Sequence, residues 1–286
     1  MARYLVVVLS DIHLIPGGAF GAGTSLPELV YPRDNLVAAL ELIGKWEVPP
    51  DVFLLTGDLV HEGDKESYED LAALMATAAK TTGADVVYLP GNHDLRSNFR
   101  RHLLGVDGSG KVGGQGEGQE GDDGGGGGDG GDGGGDDEIR QVQRSGGLRI
   151  VALDSLIPGE DAGELSDDSI EFLRAVLADP APDGTIVAVH HPPIPSPIES
   201  MSNIRLRNPD RLRDAIAGSD VRIVVSGHNH HISAGMTGHV PVWVSPAIAY
   251  RADLALPSGF RGAAGGAFSR IDIDDDSTTV SAVLLT

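Results

Sequence analysis

The sequence predicts a single domain of the α/β class, in which two mixed β-sheets pack face to face and helices flank them. Two observations lead to this prediction. In the front half of the 286 residues, strand-like apolar runs alternate with segments of helical periodicity, and the C-terminal part is rich in strands. Such alternation is typical of a parallel sheet covered by helices, and the strand-rich end adds antiparallel pairing. A chain of this length can bury a large core.

Apolar runs mark the expected strands in chain order. They are Tyr4–Leu9, Val52–Leu55, Val86–Leu89, Leu148–Leu153, Ile186–Val189, Ile223–Val225, Val242–Val244, Phe268–Ile273 and Thr278–Leu285. The residues between the last two runs, Asp274 to Ser277, have the composition of a hairpin turn. We interpret them as a turn rather than as a metal site.

Helical periodicity predicts the elements between these strands. The expected helices are Arg33–Ile43, Ser67–Ala79, Asp168–Ala178 and Asp210–Ala217. Ser166 and the pair Asn208-Pro209 are start signals for the last two, because a side-chain oxygen can cap the free N–H groups and proline fits the first turn. Asp94 is a candidate cap for a further short helix over Leu95–Leu103.

Residues 108–138 form the one low-complexity stretch. Seventeen of these 31 residues are glycine, nine are acidic and one, Lys111, is basic. Such a segment buries too little apolar surface to offset its ordering entropy, so we expect a disordered acidic loop. A calcium-binding β-helix is the alternative, but the regular hydrophobic position of such repeats is missing. Because polar blocks lie on both sides, the loop is expected to interrupt one domain, residues 1–286, rather than to divide two.

Composition excludes several classes of protein and site. The chain has no cysteine, which excludes disulfides and thiolate sites, so that a metal here requires oxygen and nitrogen ligands. The net charge of −21 and the lack of a basic face argue against a nucleic-acid polymer as partner. The apolar start Leu5–Leu9 is too short to span a membrane and is interpreted as a core strand, so we expect a cytoplasmic protein.

Five polar blocks stand at or near the ends of expected strands. They are Asp11-Ile12-His13, Gly57-Asp58, Gly91-Asn92-His93-Asp94, His190-His191 and Gly227-His228-Asn229-His230. Ligands of open α/β sheets bind beyond the carboxyl ends of the strands, so these side chains are expected to converge. Their carboxylate, imidazole and amide groups supply enough donors for two cations that share one carboxylate. Together the blocks predict a two-metal site.

Each block alone also has an ordinary structural interpretation. Asp11 and His13 face the same side of an extended segment, as a metal pair requires, but such spacing is a weak signal by itself. The histidine pair after Gly227 could lie in a surface turn. Asp58 could cap the segment that follows it, and Asn92 could be a turn residue.

In this order the five blocks resemble the motifs of the calcineurin-like metallophosphoesterase superfamily. The resemblance extends over nearly the whole chain except residues 108–138. The stretches Ala181–Pro197 and Leu153–Ser166 resemble a narrower group, the bacterial class III cyclic nucleotide phosphodiesterases. The resemblance implies an αββα sandwich with a dinuclear metal centre.

The resemblance also assigns the two ions to seven side chains. The first set is Asp11, His13, Asp58 and His230, and the second is Asp58, Asn92, His190 and His228, with Asp58 as the bridge. His190 is preferred to His191 because it comes first after its strand, where the family has its ligand. Histidine and carboxylate ligands suit Fe, Mn and Zn alike.

The expected chemistry is hydrolysis of a phosphoester. Two divalent or trivalent cations lower the pKa of a shared water, so that hydroxide attacks phosphorus near neutral pH, and they neutralise the phosphate. The leaving alkoxide needs a proton, and His93 is the candidate general acid because it adjoins Asn92 without being a ligand. Asp94 could fix the tautomer of His93 as well as cap the next helix. The residues expected to bind the substrate are His13, Asp58, Asn92, His93 and His230.

Other polar residues have weaker cases for function. The histidines expected to be surface or structural residues are His61, His102, His231 and His239. Tyr250, Arg33 and the stretch Arg261–Phe268 are candidates for the wall of a substrate pocket. Asp154 is expected to make a structural hydrogen bond.

The resemblance therefore predicts a metal-dependent phosphoric diester hydrolase for a small-molecule substrate, with 3′,5′-cyclic AMP opened to 5′-AMP. The enzymatic alternative is a broader phosphodiesterase for 2′,3′-cyclic nucleotides or glycerophosphodiesters. A non-catalytic metal-binding scaffold is the alternative from another class, disfavoured because related scaffolds usually lack some of the ligands. The resemblance also suggests a homodimer.

Overall fold

The computed structural model describes residues 3–23, 25–26, 28–106, 137–255 and 259–285. The expected acidic loop, residues 108–138, therefore lies outside the described residues except for Asp137 and Glu138. The disordered loop, and the single domain that it interrupts, remain predictions.

Strands and helices alternate along the described residues. The strands are β1 (Tyr4–Leu9), β2 (Phe20–Gly21), β3 (Leu29–Val30), β4 (Val52–Thr56), β5 (Asp85–Leu89), β6 (Arg140–Ser145), β7 (Leu148–Leu153), β8 (Thr185–Val189), β9 (Val221–Ser226), β10 (Ser233–Thr237), β11 (Val240–Val244), β12 (Arg251–Ala252), β13 (Gly262–Ala263), β14 (Ala267–Ile273) and β15 (Thr278–Leu284). The helices are α1 (Pro32–Ile43), α2 (Lys65–Thr82), α3 (Arg96–Leu103), α4 (Asp167–Leu177), α5 (Glu199–Asn203) and α6 (Pro209–Ile216). Within the described ranges, no helix combines the length and the apolar character that crossing a membrane requires.

Two large mixed sheets form the centre of the molecule. The first has the order β15-β14-β1-β4-β5, with β1, β4 and β5 parallel and the two C-terminal strands antiparallel. The second has the order β10-β11-β9-β8-β7-β6, in which the four inner strands are parallel and the two edge strands antiparallel. The prediction of two mixed sheets is confirmed.

Alternate side chains of β1 show how the layers are stacked. Val6 and Val8 belong to the apolar cluster between the sheets, together with residues of β4, β7, β8 and β9. Val7 and Leu9 belong to a second cluster, under α1, α2 and α3. A third cluster packs the outer face of the second sheet against α4 and α6. Because a strand presents successive side chains to opposite faces, strands that are apolar on both faces produce the expected αββα sandwich.

The predicted helices are present, with ends that differ by up to three residues from those expected. Ser166 caps α4 as predicted, since its Oγ accepts a hydrogen bond of 3.1 Å from Ser169 N. Asn208 precedes α6 but does not cap it, because its side chain binds both backbone groups of Leu165. Asp94 does not cap α3 either, because the residue at the cap position is Leu95.

The edge strand β6 has no counterpart among the predicted strands. Its sequence, Arg-Gln-Val-Gln-Arg-Ser, contains one apolar residue, so it gave no hydrophobic signal. It forms because β7 offers an unpaired edge over its full length, from Leu148 to Leu153. The hairpin turn after β14 is confirmed, since Asp274 Oδ1 accepts hydrogen bonds from the backbone N–H groups of Asp276 and Ser277.

Candidate metal centre

The seven side chains predicted as ligands lie at one end of the sandwich. They follow β1, β4 and β5 of the first sheet and β8 and β9 of the second, and within each sheet these strands are parallel. Parallel strands bring their carboxyl ends to one edge of a sheet. Six of the seven residues are buried, and Asn92 is partly buried.

The first cluster contains Asp11, His13, Asp58 and His230, whose potential ligand atoms lie within 4.8 Å of one another. The Nε2 atoms of His13 and His230 are 3.1 Å apart. Asp58 Oδ2 lies 3.6 Å from His13 Nε2, and Asp11 Oδ1 lies 3.5 Å from His230 Nε2. Two carboxylates and two imidazoles therefore converge on one point, as in four-ligand metal sites with oxygen and nitrogen donors.

Asp58 also belongs to a second cluster. The oxygen that approaches His13, Oδ2, lies 3.4 Å from His190 Nε2, and that nitrogen lies 3.2 Å from Asn92 Oδ1. The other oxygen, Oδ1, accepts a hydrogen bond of 2.9 Å from His93 N. Asp58 thus stands between the two clusters, which is the position of a bridging carboxylate in a two-metal site.

His228 completes the second cluster and carries a buried nitrogen with no partner. Its Nε2 makes no hydrogen bond to the described residues, and its ring centroid lies 5.1 Å from that of His190. Its backbone N–H donates to the Asp11 carboxylate at 2.9 and 3.0 Å. Buried polar atoms normally have a partner. A cation is the partner that fits this nitrogen and the adjoining oxygen donors.

The two adjacent histidines after β8 have different surroundings. His190 Nδ1 donates to the carbonyl of Thr56 at 2.8 Å, which leaves Nε2 facing Asp58 and Asn92. Both nitrogens of His191 are used elsewhere, by Ser155 Oγ at 2.8 Å and by the carbonyl of Asp161 at 3.1 Å. A nitrogen of His191 also lies within 4.8 Å of ligand atoms of His190 and His228. Both nitrogens of His191 have other partners, however, so these contacts favour His190 as the ligand.

The backbone at the site is held in an unusual conformation. Asp11, His13, Asp58, His228 and His230 all have φ between 50° and 70°. Among the described residues, only one other non-glycine residue, Ala22, has a positive φ. Each such residue costs on the order of 1–3 kcal/mol, and strain of this kind clusters at functional sites. The fold therefore holds five of the seven candidate ligands at a conformational cost.

Burial and neighbouring charges set the protonation of the side chains at the site. Burial lowers the pKa of His228 to about 3 and that of His230 to about 4, so both imidazoles are neutral and can donate a lone pair. Burial raises the pKa of Asp11 to about 7. Burial also disfavours ionised Asp58, but the charge of His190 and its hydrogen bond outweigh this effect and hold the pKa of Asp58 well below its usual value. A cation fits such a site because its positive charge stabilises the ionised form of the buried carboxylates.

The structure corrects the expected role of Asp94. Its carboxylate accepts hydrogen bonds from the backbone N–H groups of Leu59, Val60 and Gly91 and from the hydroxyl of Tyr68. The ring of His93 is oriented by another group, since its Nδ1 lies 2.9 Å from the carbonyl oxygen of His61. A carbonyl only accepts, so His93 Nδ1 carries the proton of this bond. Asp94 therefore holds the loop backbone and does not fix the tautomer of His93.

His61, expected to be a surface or structural residue, lies against the site. Its Nδ1 is 3.2 Å from Nδ1 of His13, and its ring is stacked on that of His93 with centroids 5.0 Å apart. Phe20 is also stacked on His61, with ring centroids 4.8 Å apart. A lone histidine three residues after an aspartate has no sequence signature. Only its position in space reveals it.

The other polar residues singled out in the sequence differ in whether they lie at the site. Tyr250 lies beside the site, with its ring centroid 4.2 Å from that of His230. Arg33 forms an ion pair with Asp70, and Arg261 forms one with Asp253. Asp154 accepts structural hydrogen bonds, from Arg96 Nε at 2.7 Å and from two backbone N–H groups, as expected. The histidines outside the site are His102, near Glu69, His231, bonded to Ser196, and the exposed His239.

Three known proteins are similar to this chain in sequence or in fold. A probable cyclic nucleotide phosphodiesterase of Rhodococcus erythropolis is 34% identical over 90% of this chain and 75% of the relative. A cAMP/cGMP dual specificity phosphodiesterase of Mycobacterium tuberculosis is 32% identical over 90% of this chain and 71% of the relative. The crystal structure of a dimetal phosphatase from Danio rerio superposes with a TM-score of 0.66 and 13% identity, over 99% of this chain and 96% of that one, and shows the fold alone.

A family model agrees with the order of the polar blocks. The model of the calcineurin-like phosphoesterases matches residues 4–231, which include all five blocks. The match confirms the predicted fold and the prediction of a hydrolase that acts on phosphoesters. The chain therefore belongs to the calcineurin-like phosphoesterase family.

Proposed function

We propose that this protein is a two-metal phosphodiesterase that hydrolyses cyclic nucleotides, with 3′,5′-cyclic AMP converted to 5′-AMP. The observation that carries the proposal is the position of Asp58, one oxygen of which lies 3.6 Å from His13 Nε2 and 3.4 Å from His190 Nε2. The names of the two bacterial relatives support the choice of substrate.

The proposal assigns two ions to the two clusters. Asp11, His13, Asp58 and His230 would hold the first, and Asp58, Asn92, His190 and His228 the second. Fe, Mn and Zn are all compatible with these oxygen and nitrogen donors. When bound, the ions would supply an activated water and neutralise the charge of the phosphate.

The surrounding residues would bind the diester and move one proton. We place the phosphate among His13, Asp58, Asn92, His93 and His230. Attack by water forms a new phosphorus–oxygen bond, the bond from phosphorus to the 3′ oxygen breaks, and that oxygen takes a proton to become a hydroxyl. His93 is the group proposed to supply the proton, from Nε2 of its doubly protonated ring, because Nδ1 keeps its own proton in the hydrogen bond to the carbonyl of His61.

The test is a turnover panel on metal-stripped protein resupplied with Mn²⁺. The substrates are 3′,5′-cyclic AMP, 2′,3′-cyclic AMP, a glycerophosphodiester and an aryl phosphodiester, and the matched variants are His93→Ala and His239→Ala. Loss of a general acid lowers turnover about 10²- to 10⁴-fold. We expect that loss in His93→Ala with both metals retained, and wild-type turnover in His239→Ala, whose side chain is exposed outside the site.

Other outcomes of the panel select other functions. Faster turnover of the other diesters would keep the chemistry and replace the substrate by a broader set, including glycerophosphodiesters. No turnover of any diester, with metals bound, would favour a phosphomonoesterase or a non-catalytic scaffold. Full activity of His93→Ala would contradict the role given to His93.

Three finer points belong to the same proposal. We propose a cytoplasmic location, a homodimer and a small-molecule substrate without a nucleic-acid polymer as partner. The net charge of −21 supports the last point, because a polyanion would be repelled. Cell fractionation, sedimentation and metal analysis of protein purified from its own cells test the location, the oligomeric state and the native metal pair.

A further inference from the structure

The segment that carries His61 is fixed to the loop that carries His13. Val60 and Leu14 form an isolated parallel bridge, and His61 N donates to the carbonyl of Leu14 at 2.8 Å. His61 is therefore attached by its backbone to the residue that follows the candidate ligand His13. This attachment keeps residue 61 beside the loop that carries His13.

The ring of His61 faces the nitrogen of His13 that points away from the metal cluster. His13 Nε2 lies 3.1 Å from His230 Nε2 and 3.6 Å from Asp58 Oδ2, so it faces the cluster. His13 Nδ1 lies 3.2 Å from His61 Nδ1. When Nε2 of a histidine binds a cation, its Nδ1 carries a proton and requires an acceptor, which orients the ring. His61 Nδ1 is in the position of that acceptor.

The backbone carbonyl of the same residue orients His93. It accepts the hydrogen bond from His93 Nδ1, at 2.9 Å. The rings of His61 and His93 are also nearly parallel, at 15°, with centroids 5.0 Å apart. One residue thus contacts both a candidate ligand and the candidate general acid, through different atoms.

Phe20 holds the ring of His61 from the side of the β2–β3 hairpin. Their planes differ by 6° and their centroids lie 4.8 Å apart. Phe20 packs in turn against an apolar cluster of Leu26, Val30 and Ala249. The imidazole of His61 is therefore stacked on both Phe20 and His93, and such stacking limits rotation about its side-chain bonds.

We propose that His61 is a positioning residue of the metal centre, whose imidazole accepts the Nδ1 proton of the metal ligand His13. Its carbonyl and its stacked ring set the orientation of His93 at the same time. The inference rests on the proposed function only in assuming that His13 binds a cation. It does not depend on which diester is hydrolysed.

Two substitutions separate the hydrogen bond from the stacking. His61→Phe retains a flat ring between Phe20 and His93 but has no acceptor for His13 Nδ1. His61→Gln retains a carbonyl acceptor and loses the ring. His239→Phe makes the same change as the first variant at an exposed histidine outside the site. The backbone carbonyl of residue 61 is present in all of them.

The first measurement is the affinity for Mn²⁺, by competition with a chelator. Loss of a group that orients a metal ligand weakens metal binding about 10- to 100-fold. We expect this loss for one of the two ions in His61→Phe, a smaller loss in His61→Gln, and wild-type affinity in His239→Phe. Thermal melts of the metal-free proteins identify any variant that fails to fold, and if His61→Phe does, His61→Ala, which also has no acceptor, carries the test.

The second measurement is turnover at saturating Mn²⁺, which separates the effect on His93 from the effect on metal binding. Because His61→Gln removes the stacked ring, we expect it to lower kcat more than His61→Phe does, with KM changed less than kcat. Wild-type metal affinity in both folded variants would overturn the proposal. If the wild type hydrolyses no diester while His61→Phe still loses metal affinity, the proposed function fails and the positioning role stands.

Discussion

Asp58 shows how much of the site one side chain can organise. Its Oδ2 lies between His13 and His190, and its Oδ1 accepts the backbone N–H of His93. The same carboxylate thus joins both proposed ion positions to the loop that carries the proposed general acid. Its left-handed backbone, at φ 52°, follows Gly57, at φ 94°, so the chain turns sharply as it leaves β4. This turn brings the carboxylate back over the ends of both sheets.

The adjacent histidines after β8 give a prediction at the scale of single residues. We expect His190→Ala to lose the second ion, because only His190 Nε2 faces Asp58 and Asn92. His191→Phe should keep both ions but lower the free energy of unfolding by about 1–3 kcal/mol, since it leaves the buried hydroxyl of Ser155 without this partner.

Metal content after dialysis and urea unfolding of the metal-free proteins check this pair. Loss of an ion from His191→Phe, with both ions retained in His190→Ala, would reverse the assignment of the two residues.

At the scale of elements, two loops are tied together beneath the site. Asp94, in the loop after β5, accepts hydrogen bonds from Leu59 N and Val60 N, in the loop after β4. Tyr68 of α2 connects them further, because its hydroxyl donates to Asp94 Oδ1 at 2.8 Å and accepts from Leu95 N at 3.0 Å. Asp58, Asn92 and His93 are carried by the loops that this network fixes. Asp94 therefore serves the site through the backbone.

Tyr68→Phe tests this network. The change keeps the packed ring and removes only the hydroxyl, so we expect the free energy of unfolding to fall by about 1–2 kcal/mol. We expect metal affinity to weaken as well, because the two loops lose a shared anchor. Tyr31→Phe is the matched control, since Tyr31 is exposed.

Urea unfolding and chelator competition measure the two effects of the tyrosine variants. An unchanged free energy of unfolding in Tyr68→Phe would contradict the structural role of the network.

At the scale of the whole molecule, the site exists only if the two sheets keep their positions relative to each other. Asp11, His13, Asp58 and Asn92 come from the first sheet, and the other three candidate ligands from the second. The chain passes from one sheet to the other between α3 and β6, through the acidic segment. Glu138, at the end of that segment, accepts hydrogen bonds from Ser166 Oγ and Ser169 Oγ at the start of α4. This contact places the last residue of the segment within the fold.

Deletion of the acidic segment tests its contribution to the molecule. We expect replacement of residues 108–136 by a short flexible linker to leave metal content and turnover within about twofold of wild type, because a Gly-rich acidic stretch contributes little buried apolar surface. The matched variant lacks residues 108–138. It also loses the Glu138 carboxylate, so its free energy of unfolding should be lower by about 1–3 kcal/mol.

Turnover, metal analysis and thermal melts check both deletions. A large loss of metal or activity in the shorter deletion would show that the segment contributes to the site.

Much of the fold and the set of candidate ligands could be predicted from the sequence. Strands buried on both faces, such as β1 and β4, have continuous apolar sequences, because water is excluded from both of their faces. Polar blocks after such runs are conspicuous, and the geometry of parallel strands brings them together. The polar edge strand β6 has no such signal, since its place depends on pairing with β7.

The sequence by itself determined the two-sheet architecture and the five polar blocks, and the resemblance to a family suggested His190 rather than His191 as a ligand. Only the tertiary structure decided what Asp94 holds and what His61 contacts. The first group depends on local hydrophobic periodicity and on chain order, which are written in consecutive residues. The second depends on which nitrogen or oxygen of a distant loop lies within hydrogen-bonding distance, as between His61 and His13. That distance is set only when the loops after β1, β4 and β5 have packed together.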